Sequence, residues 1–277
     1  MKEFDYLQPR TVLEACQLRA QYGKRAAVLN GGTDVVIQLR ERLIAPDAVI
    51  DIKHIPGLNA ITFDKTNGLV FGACVTVAAL AADENVKRYY PFLAQAAESI
   101  GSKQVRNRAT CVGNIVNASP LCDTGTPLYV LGAVMLLEGV NGKREVPITE
   151  FITFVRRTVL AEDEIVTGVR ETYQEGAKGV FAKVARRKEV DLWTICGTVL
   201  KVGDEVRVAL GAVAPTPVRL PKTEALLKGK PLTDALIEEA AKLARTEISP
   251  IDDVRASKLY RLDVSEVIVR NGLTAVR

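Results

Sequence analysis

Short apolar runs punctuated by glycine and proline predict an alternation of helices and strands along the chain, and the pattern changes character near Gly176. Thr11-Val12-Leu13-Glu14 has the spacing of a capping box, in which a threonine oxygen and a glutamate three residues later satisfy the free N–H groups that begin a helix. That helix is expected to run to Gly23, whose missing Cβ suits a C-terminal stop. Residues 25–29 then read as a buried strand, Asn30-Gly31-Gly32-Thr33-Asp34 as a glycine turn, 35–42 as a short helix and 48–52 as a second strand. The first 55 residues thus predict a small βαβ unit.

A second section opens with strands at 60–64 and 69–73, joined through Asn67-Gly68, a tight-hairpin signal. Thr76 is placed to cap a helix, residues 90–101 read as another helix closed by Gly101, and 127–133 as a third with Pro127 in its first turn. Strands are expected at 134–138 and 164–170, with Asn141-Gly142 marking a hairpin after the first of them. Beyond Gly176 come three long strands, 179–184, 193–200 and 205–213, with Gly203-Asp204 as the turn between the last two. Ala214-Pro215-Thr216-Pro217 is expected to end the sheet, since proline supplies no ladder N–H. The remainder is helical in pattern, with Thr233, Ser249, Asp252 and Asp253 as candidate starts.

One stretch does not fit an element. Residues 109–124, ATCVGNIVNASPLCDT, are almost uncharged yet rich in Gly, Asn, Ser, Pro and Thr, where a packed helix or strand would prefer larger apolar side chains. Its backbone is expected to serve something other than a core.

Composition narrows the function. With 48% hydrophobic and 25% charged residues, the chain has the make-up of an ordinary globular protein. A formal charge of +4, with acids interspersed among the bases, gives no nucleic-acid stripe. No run of about 18 uncharged apolar residues marks a membrane span, and the acids in Met1-Lys2-Glu3-Phe4-Asp5-Tyr6 stand where a signal peptide would be apolar. A cytoplasmic location is therefore expected. Five scattered cysteines without a C-x-x-C pair, and His54 as the single histidine, in a strand end running into a turn, give no metal site, disulfide framework or Ser-His-Asp triad.

Two segments carry candidate chemistry. Asn30-Gly31-Gly32-Thr33 lies between strand and helix, where free N–H groups favour an anion and glycine lets a phosphate approach. It lacks both G-x-G-x-x-G and a P-loop lysine, so taken alone it reads first as an ordinary tight turn. Thr110-Cys111-Val112-Gly113-Asn114 reads as a second such turn. Together the two could clamp a pyrophosphate, with Asp123 accepting hydrogen bonds from a ribose.

With Gln104-Val105-Arg106-Asn107-Arg108-Ala109-Thr110, Gly113-Asn114-Ile115, Asn117-Ala118-Ser119-Pro120 and Asp123, the sequence resembles the flavin-binding medium subunit of the molybdenum hydroxylases, a group that includes xanthine dehydrogenase and carbon monoxide dehydrogenase. The resemblance continues through Ala185-Arg186-Arg187-Lys188 with Asp191, Leu210-Gly211-Ala212-Val213-Ala214-Pro215-Thr216-Pro217, and residues 247–261. It implies an α+β fold: a two-part FAD-binding region of the vanillyl-alcohol-oxidase (PCMH) type, followed by a three-stranded antiparallel sheet with a helical bundle. The corresponding domains are residues 1–57, 58–175 and 176–277.

Residue by residue, the resemblance implies that Leu29, Asn30, Gly31, Gly32, Thr33, Asp34 and Val35 on one side, and Thr110, Val112, Gly113 and Asn114 on the other, hold the FAD pyrophosphate. Asn117, Ser119 and Asp123 would contact the cofactor, Asp123 on the adenosine side, while Lys183 and Trp193 would approach the isoalloxazine. A cationic Lys183 there would stabilise negative charge on reduced flavin. From the residues alone, Lys183 reads as a solvated strand-edge charge, Trp193 as a core aromatic, Asp123 as a helix N-cap and Cys111 as packing. Val112 departs from the family, which often has glycine at that position. The implied function is electron transfer: from [2Fe-2S] clusters of a small partner subunit, beside a large subunit with the molybdenum cofactor, through FAD to NAD⁺ or another acceptor. No catalytic acid, base or nucleophile is expected on this chain. A self-contained flavoenzyme and a flavin-free assembly subunit are the alternatives.

Overall fold

A computed structural model describes residues 2–187 and 190–277. Met1, Lys188 and Glu189 lie outside the described residues, including the last position of the Ala185-Arg186-Arg187-Lys188 motif.

The N-terminal section forms a three-stranded sheet in the order Asp5–Leu7, Ala48–Asp51, Ala26–Leu29, parallel throughout. The strand Asp5–Leu7 carries no sequence signal, being three residues long and mostly exposed. Helices Val12–Tyr22 and Val35–Arg40 make the crossovers. Thr11 Oγ1 accepts the Glu14 N–H at 3.1 Å, as the capping box requires, but the Glu14 carboxylate reaches the N–H of Arg10 rather than that of Thr11. The strand expected to be buried at 25–29 is only half-buried, since it is an edge strand and its Val28 faces a cavity; the fully buried strand is the central one, Ala48–Asp51.

The second sheet is antiparallel and five-stranded, in the order Ile61–Asp64, Gly68–Gly72, Ile165–Glu171, Val134–Gly139, Gly142–Pro147. Gly68 (φ +81°) and Gly142 (φ +124°) supply the left-handed backbone that its two hairpins need. Thr76 caps Val77–Ala82 as predicted, its Oγ1 accepting the Ala79 N–H at 3.1 Å. Helices Pro91–Glu98 and Gly125–Leu131 pack onto the C-terminal sheet, so one apolar core runs from Cys16 through Phe71 and Leu128 to Trp193 and Leu200.

The C-terminal sheet departs from expectation. It has four strands rather than three: Lys178–Ala185, Trp193–Val202, Glu205–Gly211 and Val218–Arg219. The third strand ends at Gly211, ahead of Pro215 and Pro217, where Ala212 (φ 63°) turns away and donates its N–H to the Pro120 carbonyl; nor do the prolines end the sheet, since Val218 pairs with Leu210. A second core lies between this sheet and the helices Asp234–Ala244 and Lys258–Val276. Thr233 caps the first of these helices. The second starts at Ser257, not at Ser249, Asp252 or Asp253. Asp253 is drawn away because it accepts N–H groups from Arg255 and Ala256 and pairs at 2.8 Å with the buried guanidinium of Arg261. Among the described residues, no helix is long and apolar enough to cross a membrane.

Candidate functional site

A cavity of about 510 Å³ opens between the first two sheets. One jaw is the 30–34 turn. Gly32 (φ +82°) turns the chain from strand to helix, and Gly31 is pressed against the opposite jaw: a Cβ there would lie 2.1 Å from the carbonyl oxygen of Arg108. Among the described residues, the N–H groups of Gly31, Gly32, Thr33, Asp34 and Val35 meet no protein acceptor. Asn30 Nδ2 donates to the Ala73 carbonyl, which leaves Oδ1 buried and without a partner among the described residues. Asp34 accepts from Gln38 Nε2 at 2.8 Å and from Arg156 Nη1 at 3.1 Å.

The opposite jaw is not the glycine turn expected at 110–114. It is the start of helix Cys111–Val116, with Thr110 as N-cap accepting the Gly113 N–H at 3.0 Å. Val112 accordingly sits in a helical first turn: its side chain is buried in the main core, and its N–H meets no protein acceptor among the described residues. Valine fits here because the position needs no left-handed backbone. The stretch 109–124 is also more of a core than its composition suggested. Cys111, Val112, Ile115, Ala118 and Cys122 are all buried, so the segment packs one face inward while its backbone borders the cavity. Asn114 Oδ1 accepts from Thr124 Oγ1 at 2.9 Å, the Thr124 N–H at 3.2 Å and Cys122 Sγ, which ties the jaw to the loop behind it.

Thus Asn30, Gly31, Gly32, Thr33, Asp34, Val35, Thr110, Val112, Gly113, Asn114 and Asn117 line one cavity. Leu29, Ser119, Asp123, Lys183 and Trp193 do not. Leu29 ends its strand, and Ser119 Oγ accepts the N–H of Leu121. The other three form a separate cluster. Lys183 Nζ donates to the Ser99 carbonyl at 2.7 Å, lies 3.5 Å from Asp123 Oδ1 and sits 4.7 Å from the centre of the Trp193 ring. Lys183 is therefore paired and mostly buried, not a solvated edge charge. Asp123 caps no helix, since Gly125–Leu131 begins at Thr124 without a side-chain cap. Burial pushes the Asp123 carboxyl up to about 6, against the pull of the Lys183 ammonium and the Ser99 hydroxyl. Trp193 is a core aromatic whose buried Nε1 has no partner among the described residues.

The cavity also recruits residues without a sequence signature. Val28, Ile52, Leu160, Ile165 and Val166 give it apolar walls, and Arg19 and Glu164 bring charge to its lining. Glu164 is held by two bonds from Arg144, at 2.5 and 2.7 Å; that guanidinium, together with the Ala161 N–H, keeps its carboxyl below the usual range despite burial. Among the described residues, no group of three or more His, Cys, Asp or Glu is placed to hold a metal ion, and all five cysteines are free.

A strand–glycine turn–helix facing a capped helix start across a cleft, with unsatisfied amides on both sides, is the architecture of a nucleotide-cofactor protein. Residues 2–170 match the family model for the FAD binding domain in molybdopterin dehydrogenase, and residues 181–276 match that for the CO dehydrogenase flavoprotein C-terminal domain. The carbon monoxide dehydrogenase medium chain of Hydrogenophaga pseudoflava is 32% identical, over 98% of this chain and 96% of that one. A putative xanthine dehydrogenase FAD-binding subunit of Escherichia coli is likewise 32% identical, over 97% and 94%. Among solved structures, carbon monoxide dehydrogenase from Hydrogenophaga pseudoflava superposes with a TM-score of 0.93 at 32% identity, covering 99% of this chain and 97% of that one. Quinoline 2-oxidoreductase from Pseudomonas putida gives 0.91 at 26% identity, covering 100% and 98%. The chain belongs to the FAD-binding medium subunits of the molybdenum-containing dehydrogenases, flavoprotein members of multi-subunit oxidoreductases.

Proposed function

We propose that the chain is the electron-transfer subunit of a molybdenum hydroxylase, set between [2Fe-2S] clusters on a small partner subunit and an external acceptor, with NAD⁺ first among the candidates and a large partner subunit carrying the molybdenum cofactor. The observation that carries the cofactor half of this reading is the pair of jaws that meet at Gly31 and Arg108, with five successive unsatisfied N–H groups on one side and the Val112 N–H on the other. A pyrophosphate needs such donors, and the buried, unpartnered Oδ1 of Asn30 is an acceptor awaiting a hydroxyl. The residues therefore fit FAD. When bound, FAD exchanges single electrons for a hydride; the chain supplies binding, orientation and electrostatics.

The 30–35 segment, Thr110, Val112, Gly113, Asn114 and Asn117 hold the pyrophosphate in this reading, with Leu29 and Ser119 shaping their segments from behind. The resemblance divided Asp123 and Lys183 between the two ends of the cofactor, but the pair shares one cluster. We assign Asp123, Lys183 and Trp193 together to the flavin-ring end, where the free Trp193 Nε1 is a donor and the Lys183 ammonium favours negative charge. The first two sheets then form the two halves of a PCMH-type FAD region (residues 1–57 and 58–175), and residues 176–277 form the domain that brings Lys183 and Trp193 to it. A cytoplasmic site of action fits the five free cysteines. Native co-purification tests the proposal. One complex should yield flavin, iron and molybdenum with three subunits, and its flavin should be reduced by substrate and reoxidised by NAD⁺. A colourless chain after FAD reconstitution would overturn the cofactor assignment. A flavin that NAD⁺ leaves reduced would overturn the acceptor.

A further inference from the structure

Arg156 stands at the tip of the hairpin made by Ile152–Phe154 and Arg157–Thr158. Its Nη1 donates to the Asp34 carboxylate at 3.1 Å, to the Asn117 carbonyl at 3.3 Å and to Asn117 Oδ1. Asp34 ends the first jaw, and Asn117 caps the helix of the second. The backbone repeats the link, since the Arg156 N–H donates to the Ala118 carbonyl at 2.9 Å. Arg156 (φ 59°) and Ala118 (φ 48°) both hold left-handed conformations, which non-glycine residues rarely keep unless surrounding contacts enforce them.

We propose that Arg156 is the clasp of the cleft: one guanidinium ties the outer ends of both jaws and slows escape of the cofactor held between them. The inference rests on the cleft being the FAD site. Its logic is geometric and electrostatic. The jaws already touch at Gly31 and Arg108, and Arg156 supplies a second tie, from Asp34 to Asn117. An uncompensated Asp34 carboxylate would repel a pyrophosphate on the neighbouring N–H groups, and the Arg156 charge cancels it. Only Nη1 is engaged; Nε and Nη2 meet no protein acceptor among the described residues. Both members of the ion pair are about half exposed, so the clasp is open to screening by salt. Contacts of this kind act mainly on dissociation, because association is set by diffusion and orientation.

The test is FAD release from the purified full-length chain, followed by the rise in flavin fluorescence after dilution at several salt concentrations. Arg156→Gln is expected to release FAD about 10-fold faster, with an association rate within about 2-fold of the parent. Salt should accelerate release from the parent and leave the variant nearly unaffected. Arg156→Lys, which keeps the charge but on a shorter side chain that does not place its nitrogen where Nη1 lies, should fall between the two, and it supplies the measurement if Arg156→Gln does not fold. The effects of Arg156→Gln and Asp34→Asn should not be additive, since each breaks the same tie. Release from Arg156→Gln at the parental rate, or effects of the two substitutions that simply multiply, would overturn the clasp while leaving the FAD site standing. A parent chain that takes up no FAD would overturn the site and the clasp together.

Discussion

Replacing Gly31 with alanine adds one methyl group where the two jaws meet, and its effect can be worked out from contact distances. Gly31 does not occupy the left-handed region, so alanine carries no backbone penalty. Its Cβ would fall 2.1 Å from the Arg108 carbonyl oxygen and 2.9 Å from both the Arg108 carbonyl carbon and Ala109 Cα, all of them backbone atoms. Restoring ordinary contact requires the jaws to part by about 1 Å. A charge-assisted N–H···O bond near 2.8 Å stretched that far is no longer a hydrogen bond. Each such bond is worth about 1.5–3 kcal/mol, so losing one on a single jaw weakens FAD binding by roughly 10- to 100-fold. Gly113→Ala is the comparison on the other jaw: its Cβ would meet a side chain, Thr110 Oγ1 at 2.8 Å, and no backbone wall, so the jaws need not part and its loss of FAD affinity should be smaller than that of Gly31→Ala. Quenching of flavin fluorescence on titrating the apo chain measures both variants, with Tm recorded in parallel. Gly31→Ala binding FAD within about 2-fold of the parent at an unchanged Tm would refute the requirement that the jaws meet.

Asp123 gives a pH signature. Because burial raises its folded value to about 6 from 3.8, its contribution is fully present below about 3.8 and is lost as pH rises through about 6. The difference in stability between the parent and Asp123→Asn should therefore change by a few kcal/mol across that window, on the order of 3, and a flat difference in chemical denaturation profiles would reject the shift. Asp253 has the opposite sign: burial is outweighed by the N–H groups of Arg255 and Ala256 and by Arg261, its folded value falls to about 2, and the stability it adds above pH 3.8 should disappear between about 4 and 2. Arg261→Met should cost about 1–3 kcal/mol, since it removes the guanidinium that ties Asp253 to the Thr194 carbonyl while Arg255 still pairs with Asp253; urea midpoints would show it. Thr110→Ala removes the cap of the second jaw and should cost about 1 kcal/mol of stability, visible as a lower Tm of the apo chain.

The elements that sequence foretold are those whose signals are local. Thr11, Thr76 and Thr233 cap helices because a short polar side chain satisfies N–H groups two or three residues away, a relation confined to one turn. The hairpins at Gly68, Gly142 and Gly203 are legible for the same reason: each holds a positive φ that glycine tolerates best. What failed was decided at a distance. Val218–Arg219 becomes a strand because Ala209 and Leu210 lie opposite it, and Asp253 forgoes helix capping because Arg261, eight residues on, claims its carboxylate. Val112 departs from the glycine of the family, but the first turn of a helix asks nothing of glycine, and that turn is set by the Thr110 cap and the packing behind it.

The same distinction runs through the site. Segments that border the cavity with their backbone carry a local signal, since glycine, threonine and asparagine recur in both 30–34 and 110–114, and both line the cavity. Residues that act through side chains carry no such signal. Arg156 lies 122 residues from Asp34 and 39 from Asn117, and nothing around it in the sequence separates it from Arg157 beside it. Only the left-handed turn at the hairpin tip aims it across both jaws. The family motifs therefore define where a dinucleotide can be held, while how long it is held depends on contacts such as this one, which substitution can change without touching a motif residue.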